Sequence, residues 1–240
     1  VQDAASGRDP VSRGDEGSRR RWKEEICRIL GEIQAPLSPL LLRSLCHWLL
    51  PKLLTRLFLG VQLHRGQLEM VLRAARTVRS LPGALPAPGA PGIHAGIPCL
   101  QPEVPLVFLC SHQSQVDGLL LSFVLLSQGI GVPRVTVGTR TSPCLRSLLQ
   151  RLGGIFLPSG MAQTWSNRDE GLPGAVLDVY VQEVLRSRQP LVLFLEEPPA
   201  SLRLSEPGRR WLLRVLRALR DGAMPDVLLV PVGIAYDVAP

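Results

Sequence analysis

The second half of the chain alternates short, mostly apolar runs with segments of helix length, and this alternation most constrains the fold. The apolar runs lie at 106–110, 132–138, 155–158, 191–195 and 227–234. Helical patterns at 116–127, 142–152, 171–188 and 205–220 separate them, and the last begins with a serine cap and a proline in its first turn. Continuous apolar strands joined by helices are typical of parallel sheets that are covered on both faces. The sequence therefore predicts an α/β fold with a mostly parallel sheet covered by helices over residues 106–240.

Composition divides the rest of the chain into three parts. Residues 1–18 are polar and glycine-rich without a period, which predicts a disordered tail. Residues 19–81 are predicted to form a helical N-terminal region with a basic face, broken at its prolines. Residues 82–105 are rich in proline and glycine, which predicts a linker. We expect further sequence beyond both ends and a sheet that is truncated at its carboxyl-terminal side.

The excess positive charge is concentrated in one region. Residues 36–100 carry seven basic side chains and one acidic one, against a net charge of +7 for the whole chain. Within 65–81, four apolar residues line one side at helical spacing: Met70, Ala74, Val78 and Leu81. Four arginines fall on the other side: Arg65, Arg73, Arg76 and Arg79. Such a helix either lies on a phosphate-rich surface or packs on the next domain with its arginines in water.

Other features narrow the class of protein. Five widely spaced cysteines without a C-x-x-C pair favour a reducing compartment and predict neither a disulfide framework nor a metal site. No signal peptide is visible, and the longest uncharged apolar segment is shorter than the roughly 20 residues that span a bilayer.

The segment 40–59 is apolar almost all round, which predicts that it is buried or lies in a lipid interface. The basic region leaves open an anionic membrane, an anionic substrate or nucleic acid, although aromatics for base stacking are few.

His112 and Asp117 stand where a predicted strand gives way to a helix, which is where sites lie in parallel sheets. Five residues apart in one helix, they would lie about 140° apart and could not meet. They can meet only if His112 lies in the turn and Asp117 in the first turn of the helix. A carboxylate that holds one imidazole nitrogen leaves the other free to accept a proton from a substrate hydroxyl. The structural alternative is a histidine at a helix start whose aspartate bonds the helix's own N–H groups.

Four sequence blocks resemble those of one enzyme family. HQSQVDGLLLS resembles the first block, H-x-x-x-x-D, of the glycerol-3-phosphate acyltransferases. LGGIF at 152–156 resembles the second block, VLFLEE at 192–197 the third and LLVPVGIAYD at 228–237 the fourth. Upstream, LGEI at 30–33 and VQLHRGQLEMV at 61–71 resemble the helical region of the mitochondrial members. GGIFLP and FLEEPP together are most similar to a mitochondrial, germ-line branch of that family.

The resemblance implies a reaction and the residues that perform it. His112 is implied to be the general base for glycerol-3-phosphate, with Asp117 orienting it. Acyl-CoA is the implied co-substrate, the sn-1 hydroxyl the acceptor and glycerolipid synthesis the process, with no metal, cofactor or covalent intermediate. The second and third blocks are implied to hold the phosphate and the fourth the acyl-CoA. The substrate-binding candidates are Gly154, Phe156, Glu196, Arg151 and Pro231. The implied location is the mitochondrial outer membrane, on its cytosolic face.

Two blocks depart from the family pattern. The second usually continues G-x-F-I-R-R and the third F-x-E-G-x-R-S, but here LPS follows Phe156 and EPP follows Glu196. Both arginines expected to grip phosphate are therefore missing, and an arginine–phosphate fork is a strong interaction. Candidate replacements are Arg140, Arg151, Arg203, Arg209 and Arg210. Two hypotheses follow: an acyltransferase, with a weakened phosphate grip, or a scaffold on the mitochondrial surface in germ-line small-RNA (piRNA) production, with protein or RNA partners at 36–100.

Overall fold

The computed structural model describes residues 15–34, 44, 47–48, 50–77, 104–111, 116–137, 142–158, 171–195 and 204–237. Its helices are α1 (Asp15–Ile33), α2 (Leu50–Leu57), α3 (Arg65–Thr77), α4 (Asp117–Ser127), α5 (Pro143–Arg151), α6 (Gly171–Arg186) and α7 (Glu206–Arg220). Its strands are β1 (Leu106–Cys110), β2 (Arg134–Thr136), β3 (Gly154–Ile155), β4 (Leu191–Phe194) and β5 (Leu228–Val232). Among these helices, none combines the length and the hydropathy needed to cross a membrane.

The strands form one parallel sheet in the order β3-β2-β4-β1-β5. Cys110 at the end of β1 lies opposite Phe194 of β4 and Val232 of β5. This confirms the predicted α/β fold with a mostly parallel sheet covered by helices. Pro231 lies in β5, an edge strand, which is where a residue without an N–H group is tolerated in a sheet.

The predicted elements of 106–240 are all present, with ends that differ by up to three residues. The start of α7 follows the sequence signal closely. The Ser205 hydroxyl accepts a hydrogen bond from the backbone N–H of Gly208, and Pro207 occupies the first turn. Gly208 itself is required here, because a Cβ would lie 2.8 Å from backbone atoms of Phe194 and Leu195 at the end of β4.

Helices cover both faces of the sheet. The first face is covered by α1, α6 and α7, whose buried side chains include Ile29, Leu177 and Trp211. The second face is covered by α4 with α2, α3 and α5. Alternation along the strands supplies both cores, since Leu191 and Leu193 of β4 lie in the first and Val192 in the second.

The first helix is part of the α/β core, although the sequence predicts it in a separate helical region. Ile29 and Ile33 are buried against α6, and the backbone N–H of Phe156 donates to the carbonyl oxygen of Ile33 over 2.9 Å. The helix starts at position 15, four residues before the predicted start at 19, because acidic residue types favour a first turn. Most of the predicted tail and linker lies outside the described residues.

The third helix packs through a different face from the predicted one. Met70 is exposed, and Ala74, Val78 and Leu81 give no test because the described side chains end before them. The packed stripe is Leu68, Val71 and Leu72, which contact the core beside β1 and β5. Leu68, Val71 and Leu72 bury more apolar surface than the predicted face, which contains Ala74. This difference explains why α3 packs through these three residues. The helix therefore packs on the sheet domain, and its Arg65 and Arg73 are exposed.

Candidate active site

Three sequence segments meet at the carboxyl-terminal edge of the sheet. Cys110 ends β1, and Asp117 is the first residue of α4. Tyr236 follows β5 by four residues, and because β1 and β5 are parallel neighbours, both end at this edge. His112 lies outside the described residues, so its predicted contact with Asp117 stays a prediction.

Asp117 is completely buried at the start of α4. Its Oδ1 accepts a hydrogen bond from the Tyr236 hydroxyl. Burying a carboxylate is costly unless it is hydrogen-bonded, and the positive end of a helix dipole also favours negative charge. The site therefore provides the conditions under which an aspartate can stay charged inside a protein. A charged Asp117 can hold an imidazole in one tautomer.

Gly118 sets how closely the first turn of α4 approaches its neighbours. A Cβ at this position would lie 3.2 Å from Cδ2 of Leu149 and 3.3 Å from Cγ1 of Val135. A Cβ here would require these two side chains to shift by a few tenths of an ångström. The glycine after the aspartate in the first block thus allows α4 to begin in close contact with β2 and α5.

Tyr236 is the functional candidate that the sequence analysis missed. Its ring stacks on Phe58, with centroids 5.8 Å apart and an interplanar angle of 20°. Burial, then the hydrogen bond to Asp117 and the aspartate charge, raises the pKa of Tyr236 well above its ordinary value, so the hydroxyl keeps its proton. Tyr236 was visible at the end of the fourth block, but no local pattern indicated that it reaches a residue 119 positions earlier.

Cys110 is the cysteine nearest to Asp117 along the chain. It is fully buried, and burial, with a smaller effect of the Asp117 charge, raises the pKa of its thiol to about 12. Cysteine attacks as a thiolate, so a thiol that stays protonated is a poor nucleophile. Cys110 is therefore not suited to act as a nucleophile.

Gly154 and Phe156, the second-block candidates, are core residues. A Cβ on Gly154 would lie 2.9 Å from the carbonyl oxygen of Leu149, so the glycine allows α5 and β3 to pack closely. Phe156 is 3% exposed, and the Arg146 guanidinium lies 4.5 Å from its ring centroid. The structure explains both residues by packing, and their predicted contact with substrate stays a prediction.

Of the remaining substrate-binding candidates, Arg151 lies away from the sheet edge that holds Asp117. Arg151 is the last residue of α5, which runs from the carboxyl end of β2 to the amino end of β3, so Arg151 lies at the opposite edge of the sheet. The helix is nine residues long, or about 13 Å, which is longer than an arginine side chain. Pro231 is exposed on the edge strand, and Glu196 lies outside the described residues.

Comparison with known proteins gives the class of the chain. Residues 94–234 match the family model described as Acyltransferase. The chain belongs to the acyltransferase family, and the predicted resemblance is confirmed at this level.

Individual relatives narrow the resemblance. The chain is 45% identical over 243 residues to "Glycerol-3-phosphate acyltransferase 2, mitochondrial" of Mus musculus and 42% identical to that of Homo sapiens. Both alignments cover 100% of this chain and 27% of the relative. It is 34% identical over 217 residues to "Glycerol-3-phosphate acyltransferase 1, mitochondrial" of Homo sapiens, covering 90% of this chain and 23% of the relative. The chain thus spans about a quarter of the length of these relatives.

Proposed function

We propose that the protein transfers an acyl group from acyl-CoA to the sn-1 hydroxyl of glycerol-3-phosphate in glycerolipid synthesis. The observation that carries the proposal is the buried Asp117 at the strand-to-helix edge, five residues after His112, in a chain of the acyltransferase family. The printed names of the relatives supply the substrate class. They also support a mitochondrial location, which we extend to the cytosolic face of the outer membrane.

In the proposed mechanism His112 accepts the proton of the sn-1 hydroxyl as its oxygen attacks the thioester carbonyl of acyl-CoA. The new C–O bond forms a tetrahedral intermediate, which collapses as the C–S bond breaks. The imidazolium then returns the proton to the departing CoA sulfur. Asp117 holds the second ring nitrogen of His112 and stabilises the imidazolium. Atoms and charges balance without a metal or an acyl-enzyme.

The phosphate of the acceptor needs a cation at the same edge of the sheet. Among the described candidate replacements, Arg209 and Arg210 lie in the first turns of α7, which follows the carboxyl end of β4. Both lie near one carboxylate, with Arg210 Nε 3.3 Å and Arg209 Nη1 3.9 Å from Glu206 oxygens. We assign the phosphate grip to this pair in place of Arg151. Because Glu206 competes with phosphate for these two arginines, the KM for glycerol-3-phosphate is expected to be higher than with arginines that have no carboxylate beside them.

The test is an acylation assay with the full-length protein, glycerol-3-phosphate and acyl-CoA. A positioned general base contributes about a hundredfold to ten-thousandfold, so His112→Ala should lose at least a hundredfold in kcat and Asp117→Asn should lose activity with it. Asp221→Asn is a matched control for Asp117→Asn, because Asp221 is exposed at the far end of α7, away from the carboxyl edge of the sheet. A parent protein without turnover, or variants that keep full turnover, would refute the assignment.

A second part of the proposal concerns the membrane surface. The stretch from Trp48 to α3 carries large exposed apolar side chains: Trp48, Leu57, Leu59, Val61, Leu63 and Met70. Exposed basic side chains flank them: Lys52, Arg56, Arg65 and Arg73. Apolar side chains bordered by positive charge suit an anionic lipid surface. We propose that this apolar band contacts the membrane. Phe58 lies within the same stretch and stacks on Tyr236, so the proposed contact would hold the site close to the lipid surface.

Vesicle flotation tests this contact. Leu59→Ser with Leu63→Ser should reduce binding to phosphatidylcholine vesicles that contain phosphatidylserine. Leu213→Ser with Leu216→Ser is the matched control, because these leucines are also exposed but lie on α7, across the sheet. Equal vesicle binding by both pairs would refute the membrane contact. RNA capture that the band variants weaken would instead support the small-RNA scaffold hypothesis.

A further inference from the structure

We propose that Tyr236 is a positioning residue whose hydroxyl holds the Asp117 carboxylate in the orientation that His112 requires. The inference rests on the proposed acyl transfer and names a residue that the four family blocks did not single out as functional. It starts from one contact, in which the Tyr236 hydroxyl donates to Oδ1 of Asp117.

The contact matters because Asp117 is cut off from water. An exposed carboxylate finds hydrogen-bond donors in any rotamer, but a carboxylate with no exposed surface depends on donors that the fold supplies. Tyr236 supplies one of them from a loop that Asp117 does not belong to. The bond therefore selects one rotamer of Asp117, and the rotamer decides where its other oxygen points.

Tyr236 is itself held in place. Its ring stacks on Phe58, which lies immediately after α2, and the backbone N–H of Phe58 donates to the carbonyl oxygen of Leu54 over 2.8 Å. A hydroxyl on a fixed ring is a better positioning group than one on a free side chain. The stack also makes the helical region part of the site, because a shift of α2 moves the ring that holds Asp117.

The protonation state suits this role. The pKa of Tyr236 is raised, mainly by burial and then by Asp117, so the phenol remains a donor throughout the physiological range. Among the described residues, Tyr236 and Cys110 have pKa values that the Asp117 charge helps to raise. Neither group changes charge near neutral pH, so neither is expected to shape the pH profile of turnover there.

The decisive variant is Tyr236→Phe in the full-length protein, because it keeps the ring and its stack on Phe58 and removes only the hydroxyl. Loss of a hydrogen bond to a charged group changes an equilibrium or rate constant by about tenfold to hundredfold, so kcat should decrease by a factor in that range. The KM values for glycerol-3-phosphate and acyl-CoA should stay within about twofold, because in the proposed role the hydroxyl orients Asp117 and does not bind substrate. Tyr180→Phe is the matched control, since its hydroxyl donates to the neutral side chain of Gln34. It should leave kcat unchanged.

A double-mutant cycle separates positioning from a general structural effect. If Tyr236 acts through Asp117, Tyr236→Phe should cause no further loss of kcat in the Asp117→Ala background, in which the acceptor of its hydrogen bond is gone. The same cycle in chemical unfolding should show coupling between the two positions, and this readout needs no activity. A Tyr180→Phe cycle with Asp117→Ala should show none in either readout.

The outcomes distinguish failure of the positioning role of Tyr236 from failure of the proposed acyl transfer. An active parent with an unchanged Tyr236→Phe variant, or with additive losses in the cycle, overturns the positioning role and leaves the acyl transfer intact. An inactive parent overturns the proposed function and the catalytic purpose of Tyr236 with it, while coupling in unfolding would still establish the bond. Selective loss of kcat with non-additivity supports the inference.

Discussion

Gly154 shows at the scale of one residue how an absent side chain sets the distance between a helix and a strand. A Cβ there would lie 2.9 Å from the Leu149 carbonyl oxygen and 3.0 Å from Cγ2 of Val137. The second-block motif is thus explained by packing between α5 and β3. A packing role and a substrate-binding role predict different results for the same substitution.

Gly154→Ala should lower the free energy of unfolding by about 1–3 kcal/mol, as overpacking does in a close-packed core. Gly31→Ala is the control, because Gly31 is an exposed residue of α1 with no heavy atom within 4 Å of a Cβ. It should raise stability by about 0.5–1 kcal/mol through helix propensity. Denaturant titration measures both. Unchanged stability with a raised KM for glycerol-3-phosphate would restore the predicted substrate contact.

Cys110 makes the stability of the fold sensitive to alkaline pH. Its ordinary thiol pKa of 9.0 applies to the unfolded chain and is raised to about 12 by burial in the folded one. Because the unfolded chain loses this proton first, the free energy of unfolding should fall as pH rises above 9 and stop falling near 12. Cys110→Ala should flatten that decline between pH 9 and 10 in unfolding curves, whatever its effect on stability at neutral pH. Exposed Cys144→Ala should keep the decline of the parent.

The candidate site was only partly predictable from the sequence. The strand-to-helix break around Asp117 is a local pattern, and local patterns report the position of a carboxylate at a helix start. The Tyr236 contact joins residues 119 positions apart, and it exists only because β5 pairs with β1. The sheet edge at which Arg151 lies was hidden for a similar reason, since it depends on the direction in which α5 runs.

At the scale of elements, hydrophobic patterning located each strand and helix that the structure describes between residues 106 and 237, and it was weakest at their ends. The segment 132–138 illustrates this, because only Arg134–Thr136 pairs as β2. Apolar residues continue past a strand wherever a helix covers them, so composition does not show where pairing stops. The face of α3 was predicted wrongly because two apolar stripes were available, and tertiary packing chose between them.

A buried ion pair connects α6 to α7. The Arg214 side chain is 1% exposed, pairs with Asp178 and donates to the carbonyl oxygen of Gly174 over 3.1 Å. Asp178 is 32% exposed, so the surrounding water screens part of the interaction.

Asp178→Ala should lower the free energy of unfolding by about 2 kcal/mol, because it leaves a guanidinium buried without this carboxylate. The loss should stay below that for a fully buried pair because of the exposure of Asp178. Glu69→Ala breaks the exposed pair of Glu69 with Arg73 and should change stability by less than about 0.5 kcal/mol. Thermal and denaturant unfolding compare the two variants. Equal small effects would mean that solvent reaches Arg214.

At the scale of the whole molecule, the helical region and the sheet domain form one packed unit. Composition divides them, because the proline- and glycine-rich stretch between them reads as a linker. Composition reports local chain stiffness and carries no information about where distant helices pack. The burial of Ile33 and the stack of Phe58 on Tyr236 are contacts that only the folded chain reveals.

Ile33→Ala should therefore destabilise the entire domain and not only α1. Truncating a buried isoleucine removes apolar contact and leaves a cavity, so the expected loss is about 2–5 kcal/mol. Leu30→Ala is the control on the same helix, because Leu30 is 38% exposed and should lose far less. Fluorescence and circular dichroism should report a single shifted transition. Loss of α1 alone, before the sheet unfolds, would show that the region is an independent unit.

The position of β1 between β4 and β5 has a consequence for how the chain is made. On the ribosome β1 emerges first, but the strands that flank it follow only some 80 and 120 residues later, on the order of ten seconds at usual elongation rates. During that interval the apolar side chains of β1 stay exposed and its backbone N–H and C=O groups lack their partner strands. We expect chaperones to bind a nascent segment of this kind. The hydrogen bond between Asp117 and Tyr236 likewise cannot form until the segment after β5 has emerged, so a chain interrupted before Tyr236 leaves the buried Asp117 carboxylate without this donor.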